Sequence, residues 1–262
     1  MLSIGLMSGT SMDGIDAALI RTDGYHDITE LGQLYIAYHP AFKILLKAAE
    51  YAIKTTAEIQ ITQGNYSEAL ILAMAETAFD QLLKEYLTHE LNLKDAEFSD
   101  SFAALLSYFH DHINAKLSIS LAGIIDHSTD LHGQAVEQLL IQTAHKATQI
   151  DVVGCHGQTF FHRPTVKLSI VLCHGERLAE QLKISVVTDF RRCDVDAGGQ
   201  GAPLAPLYHQ ALAKHDHKIP CAVVNCGGIA NITVISNEHI KDHFLNLLSV
   251  FLATRNSRAH GE

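Results

Sequence analysis

Apolar and polar positions alternate in short runs over the first forty residues, then settle into helical spacing, then return to short buried runs. Residues 2–7 are apolar, the stretch Ser8-Gly9-Thr10-Ser11-Met12-Asp13-Gly14 is turn material, and residues 15–22 are apolar again, which predicts a hairpin with a polar tip. Residues 33–38 predict a third strand, and Pro40 opens a helix over 42–54 with Leu45, Leu46 and Ala49 on one face. Helical spacing recurs over 66–87, 101–117 and 130–145, and Leu70, Met74, Leu82, Leu83 and Leu87 form the apolar face of the first of these.

From residue 150 short apolar runs each end in a polar loop: 151–155 before His156-Gly157-Gln158-Thr159, and 184–188 before Asp189-Phe190-Arg191-Arg192. A strand over 167–172 and a helix over 176–182 come between them, and another helix is predicted over 206–214. Residues 221–225, the pair Gly227-Gly228 and residues 231–235 repeat the strand, glycine turn, strand arrangement of the start. Residues 238–253 carry Ile240, Phe244, Leu247, Leu248 and Phe251 at the spacing of an amphipathic helix, ahead of a polar end. The sum is an α/β fold, and polar loops at the ends of buried strands are where open α/β sheets bind ligands.

Composition narrows the partners. A net charge of -10 over 262 residues argues against nucleic acid, which is bound through basic patches that neutralise phosphates. A phosphate-bearing ligand must then be held by backbone amides, a metal ion or a few placed side chains. Five cysteines without a Cys-x-x-Cys pair suggest neither a disulfide framework nor a zinc ribbon and fit a reducing cytoplasm. No run of about 18 apolar residues predicts a membrane span, and the first residues lack a basic leader. The pairs His110/His112 and His215/His217 read as solvated surface histidines.

Tight glycine turns leave backbone N–H groups free to face phosphate oxygens, and a neighbouring Ser or Thr hydroxyl adds a donor. The chain has two such turns, around Gly9 and at Gly227-Gly228, separated by an α/β layer.

Five ordered motifs extend this reading: Met7-Ser8-Gly9-Thr10-Ser11-Met12-Asp13-Gly14-Ile15-Asp16, Gly154-Cys155-His156-Gly157-Gln158-Thr159, Asp189-Phe190-Arg191-Arg192, Ala197-Gly198-Gly199-Gln200-Gly201-Ala202-Pro203-Leu204 and Asn225-Cys226-Gly227-Gly228-Ile229-Ala230-Asn231-Ile232-Thr233. Together they resemble the anhydro-N-acetylmuramic acid kinase family, within the superfamily of sugar kinases, heat-shock ATPases and actin. The resemblance covers residues 1–236, with a region over 66–149 that looks longer and more divergent than the family's spacing.

The resemblance implies an actin-like (ribonuclease H-like) first domain over 1–216 with helical insertions, the opening hairpin of a second domain over 217–237, and a tail over 238–262 outside the family pattern. It implies cytoplasmic phosphorylation of 1,6-anhydro-N-acetylmuramic acid by ATP and Mg²⁺, with opening of the anhydro ring, in peptidoglycan recycling; it allows a homodimer. By the same resemblance Gly9, Thr10, Ser11, Met12, Asp13, Gly14, Ile15 and Asp16 would cradle nucleotide phosphates from one side, and Gly227 and Gly228 from the other. Asp13 and Asp16 are open to two roles, ordering the turn or contacting the magnesium shell. His156, Gly157, Gln158, Thr159, Arg191, Gly199 and Gln200 would contact the sugar, His156 having a buried structural role as its alternative. Asp189 would be the general base that activates water, its alternative being a salt bridge to Arg191 or Arg192.

Two departures stand out. Cys173-His174-Gly175 replaces a glycine–aspartate pair that the family carries after the strand. The family's later glycine-rich motifs, which form the adenosine pocket, do not follow residue 236, so the carboxy-terminal half is expected to be largely missing. An inactive sugar-binding remnant, or one subunit of a split kinase, is the alternative expectation.

Overall fold

The computed structural model describes residues 1–25, 27–113, 119–226, 230–236 and 240–245. The first part of the chain runs β1 (Leu2–Met7), β2 (Gly14–Thr22), β3 (Ile28–Ala37), α1 (Pro40–Thr62), α2 (Glu68–Thr77), α3 (Phe79–Glu85), α4 (Asp95–His112) and α5 (Leu121–Gln142). It continues with β4 (Val152–Cys155), β5 (Gln158–Arg163), β6 (Leu168–Leu172), α6 (Gly175–Leu182), β7 (Val186–Val187), α7 (Phe190–Asp196), α8 (Ala205–His215), β8 (Cys221–Cys226), β9 (Ala230–Ile235) and β10 (Ile240–Leu245). Backbone proximity divides these into a larger unit, Leu2–Ile20 with Glu30–Gly201, and a smaller one, Met1 with Arg21–Thr29 and Ala202–Glu262.

The larger unit is built on a sheet with strand order β3-β2-β1-β4-β7, in which β1, β4 and β7 are parallel neighbours. Leu6 pairs with Cys155 and Gly154 with Val187, so the three strands end at one edge of the sheet. In β1 the buried Ile4 and Leu6 alternate with exposed Gly5 and Met7, the two-residue period expected of a strand covered on one face. β5 and β6 form a separate antiparallel pair. The helical layer centres on α1, which starts on Pro40, is capped by His39 Nδ1 accepting from the Ala41 N–H, and packs against α2, α3, α4 and α5. Phe42, Leu45, Leu46, Ala49, Ile53 and Ala57 form its buried stripe. Each large apolar side chain so buried stabilises the fold by about 1.5–3 kcal/mol.

The smaller unit carries an antiparallel sheet of order β10-β9-β8, with α8 packed on β9 and β10. The imidazole of His209 on α8 is hydrogen-bonded to the Thr233 hydroxyl of β9 at 3.0 Å.

Several expected elements differ. The helix over 66–87 is two helices, parting at Ala78 after Ser67 has capped the first. α5 begins at Leu121 rather than 130 because the Ser120 hydroxyl accepts from the Gly123 N–H, a cap that an apolar-periodicity reading passes over. Gln158 and Thr159 belong to β5, and the loop expected after Asp189 is the short helix α7. The amphipathic helix expected over 238–253 is contradicted: Ile240–Leu245 is a strand, with Ile240 opposite Ile235 and Leu245 opposite Ala230. The edge of β9 offers a ladder of backbone partners that local spacing cannot reveal. Residues 246–262 lie outside the described residues, as does the Gly227-Gly228 turn.

Candidate functional site

Three of the singled-out sequence segments are the loops that leave the carboxyl ends of β1, β4 and β7, side by side on one edge of the parallel part of the sheet. The β1–β2 loop turns tightly, with the Met12 N–H donating to the Gly9 carbonyl at 3.0 Å. Met12 takes a positive φ of 51°, and its fully buried side chain anchors the turn in the core. Ile15 is equally buried, so these two residues can offer a ligand only backbone. Thr10, Ser11, Asp13 and Asp16 are exposed. The Ser11 hydroxyl donates to Asp13 Oδ1 at 2.7 Å and holds that carboxyl below the usual carboxylate value. Gly14 is fixed by space: a Cβ there would lie 2.3 Å from the Ile36 carbonyl oxygen.

The β4–β5 loop is tied to the first. The Gln158 amide Nε2 donates to the Gly9 carbonyl at 3.3 Å, while its Oε1 and the Thr159 hydroxyl are buried without a protein partner. Gly157 turns at φ 70°, and a Cβ there would meet the Leu172 carbonyl at 2.9 Å. His156 uses both ring nitrogens: Nδ1 donates to the Gly157 carbonyl at 2.8 Å, and Nε2 accepts from Arg191 Nε at 2.9 Å. Only the neutral ring protonated at Nδ1 satisfies both bonds. Burial, with the adjacent guanidinium, pushes the His156 pKa down.

Arg191 lies on α7 and donates from Nη1 to the Gly201 carbonyl at 2.9 Å, so one side chain joins the β4–β5 loop to the glycine-rich loop at 197–201. That loop folds back on α7. Asp194 Oδ2 accepts from the Gly201 N–H at 2.7 Å, and Gly199 sits so close that a Cβ would fall 2.1 Å from the same oxygen. Gln200 is exposed at the turn.

Asp189 stands at the end of β7 in the left-handed region, with φ 62° and ψ 24°. Such a backbone costs a non-glycine residue of order 1–3 kcal/mol and is retained where the surroundings impose it. Its Oδ2 accepts from Arg192 Nη2, whose guanidinium also reaches Glu68 Oε2 at 3.4 Å. The predicted alternative, a salt bridge to Arg192, is therefore formed, whereas Arg191 faces His156. Burial raises the Glu68 pKa against the opposing pull of Arg192. An open cavity of about 310 Å³ lies beside this pair, lined by Ser67, Glu68, Lys167, Ser169, Arg192 and Asp196.

The sequence does not single out Glu68, and Asp194 falls within the family-like stretch without receiving a role there. The Ser67-Glu68 pair at a helix start and a carboxylate placed before Gly198-Gly199 were the signals available. Gly227 and Gly228 lie outside the described residues. Among the described residues, no cluster of three or more His, Cys, Asp or Glu side chains is arranged to hold a metal ion, and no helix is long and apolar enough to cross a membrane.

A family model described as anhydro-N-acetylmuramic acid kinase matches residues 1–95 and 103–244. The match takes in most of the helical region that looked divergent and runs past residue 236 into β10. Similar curated proteins carry the same name. One from Azorhizobium caulinodans is 37% identical over 239 residues, covering 90% of this chain and 49% of the relative. One from Rhodopseudomonas palustris strain HaA2 is 35% identical over 240 residues, 91% of this chain and 50% of the relative. One from Rhodospirillum rubrum is 36% identical over 234 residues, 89% of this chain and 45% of the relative. The chain thus spans about half the length of the curated relatives it matches.

Proposed function

The chain belongs to the anhydro-N-acetylmuramic acid kinase family, and from that premise we propose that its three strand-end loops form the sugar and phosphate side of a kinase acting on 1,6-anhydro-N-acetylmuramic acid. The observation that supports this most directly is the junction of loops: Gln158 bonded to Gly9, and His156 bonded through Arg191 to Gly201. A ligand at that edge meets backbone amides of a tight turn, neutral donors and acceptors, and a carboxylate. That mixture suits a sugar beside a phosphate.

In this reading the fold is the first domain of an actin-like ATPase over 1–216, and 217–237 opens the second, with Gly227-Gly228 as its phosphate turn. ATP supplies the phosphoryl group. Asp13, kept ionised by Ser11, offers the hard oxygen that Mg²⁺ prefers, and Mg²⁺ commonly takes one or two protein carboxylates together with nucleotide phosphates. Gln158 Oε1 and the Thr159 hydroxyl, buried and without protein partners, are the polar atoms available to sugar hydroxyls. Asp189 accepts the proton of a water that attacks the anomeric carbon; the released O6 then attacks the γ-phosphorus, giving N-acetylmuramic acid 6-phosphate. A homodimer and a cytoplasmic setting complete the proposal.

Calorimetry with the anhydro-sugar and mass spectrometry of products with ATP and Mg²⁺ test it together. Sugar binding by the chain is expected to weaken at least tenfold in Gln158→Ala, and any 6-phosphate formed is expected to vanish in Asp189→Asn. Equal sugar affinity in Gln158→Ala, or undiminished product in Asp189→Asn, would refute the assignment of those residues.

A further inference from the structure

Cys155 ends β4, and Cys173 directly follows β6, a strand of a different sheet. Their sulfurs nevertheless lie 2.9 Å apart. One thiol donates a hydrogen bond to the other, and a disulfide bond would bring the sulfurs to about 2.0 Å. Both cysteines are free thiols.

The approach is built into the backbone. Gly157, at φ 70°, turns the chain so closely over the end of β6 that a Cβ there would sit 3.0 Å from the Cys173 Cβ. Only glycine leaves room for that turn, and the turn delivers Cys155 onto Cys173. The two thiols differ in access: Cys155 is fully buried, whereas Cys173 is partly exposed. With Cys155 buried, an oxidant enters at the partly exposed Cys173; the Cys173 neighbour, together with burial, also pushes the Cys155 thiol well above its ordinary value.

We propose that Cys155 and Cys173 are a reversible dithiol–disulfide modification site that takes hydrogen peroxide or a similar small peroxide as oxidant and clamps the β4–β5 loop to the end of β6. Peroxide transfers one oxygen to Cys173 Sγ, giving a sulfenic acid and one water. Cys155 Sγ then attacks Cys173 Sγ; the S–S bond forms as the S–O bond breaks, and the hydroxyl leaves with the Cys155 thiol proton as a second water. Two thiols are oxidised and one peroxide is reduced. The site stands independently of the kinase reading, although the clamped loop is the one that carries His156 and leads into Gln158 at the start of β5.

The test exposes the whole chain to hydrogen peroxide, blocks remaining thiols with an alkylating agent, and applies intact-mass and peptide mass spectrometry. The expected product lacks two hydrogens, contains a peptide pair joined through Cys155 and Cys173, and reverts with dithiothreitol. Both Cys173→Ser and Cys155→Ser are expected to abolish the linked pair, and Cys193→Ser to leave it. Hydrogen exchange across residues 156–159 is expected to slow in the oxidised chain. Accumulation of Cys173 sulfinic acid with Cys155 still alkylatable, or linkage through Cys193 or Cys221 instead, would overturn the proposal.

Discussion

His127 makes the fold acid-sensitive by an amount that can be worked out. Its imidazole, on α5, is 8% exposed, lies 3.0 Å from the Tyr108 hydroxyl of α4 at Nε2, and meets the Phe42 ring of α1 edge-on at 4.8 Å. Burial pushes its pKa down from 6.5 to about 4, with Asp130 pulling it up and His112 reinforcing the depression. A depressed histidine is neutral in the fold but takes a proton when unfolded, so its contribution is complete above about 6.5 and is lost as pH falls through the window to 4. At about 1.4 kcal/mol per unit the full window corresponds to about 3 kcal/mol. Between pH 7 and 4.5, most of it is crossed, and His127→Gln is expected to reduce the acid loss of unfolding free energy by about 2 kcal/mol relative to the unsubstituted chain. Glutamine keeps a partner for Tyr108, and the other depressed histidines, His132, His156 and His162, contribute equally to both proteins and cancel. Urea unfolding at the two pH values measures the difference, and the His127 ring proton resonance followed by NMR should titrate near 4. A ring titrating near 6.5, or an unchanged acid loss in His127→Gln, would refute the reasoning.

Arg191→Met removes the donors to His156 and to the Gly201 carbonyl, and is expected to cost about 1–3 kcal/mol. The His156 pKa should move upward as the guanidinium that depresses it is lost, which an NMR titration reads; an unmoved His156 would contradict the pairing. Gly14→Ala would place a methyl 2.3 Å from the Ile36 carbonyl, a backbone atom that cannot swing aside, and is expected to destabilise by about 1–3 kcal/mol. Thermal unfolding checks it, and an unshifted midpoint would show that β2 and β3 can part without loss.

What could be read in the sequence was what depends on local pattern. The β1 and β4 strands show short buried runs, and the polar residues after them, Gly9 and His156, stand where a parallel sheet presents its loops. What escaped depends on contacts across the chain. Glu68 became part of the site only because α2 brings it within reach of Arg192, 124 positions away. Gln158 looked like loop but lies in β5, because β6 pairs with it and the register places Gln158 opposite Leu172. Ile240 and Phe244 fit a helix as well as a strand by spacing, and the edge of β9 decided between them.

His156 and Asp189 stand at the strand ends in different surroundings. His156 has both nitrogens engaged, one giving to Gly157 and one receiving from Arg191, and burial beside a guanidinium disfavours its charged form. It serves as a brace that holds the β4–β5 loop against α7. Asp189 has one carboxylate oxygen, Oδ2, turned to Arg192, and that pairing is shared with Glu68 rather than exclusive. A guanidinium divided between two carboxylates can orient the nearer one without fully neutralising it. On the proposed reading this division gives Asp189 a fixed direction while leaving Oδ1 for water. The left-handed φ of 62° is the conformation in which the chain leaves β7 at Asp189 and enters α7.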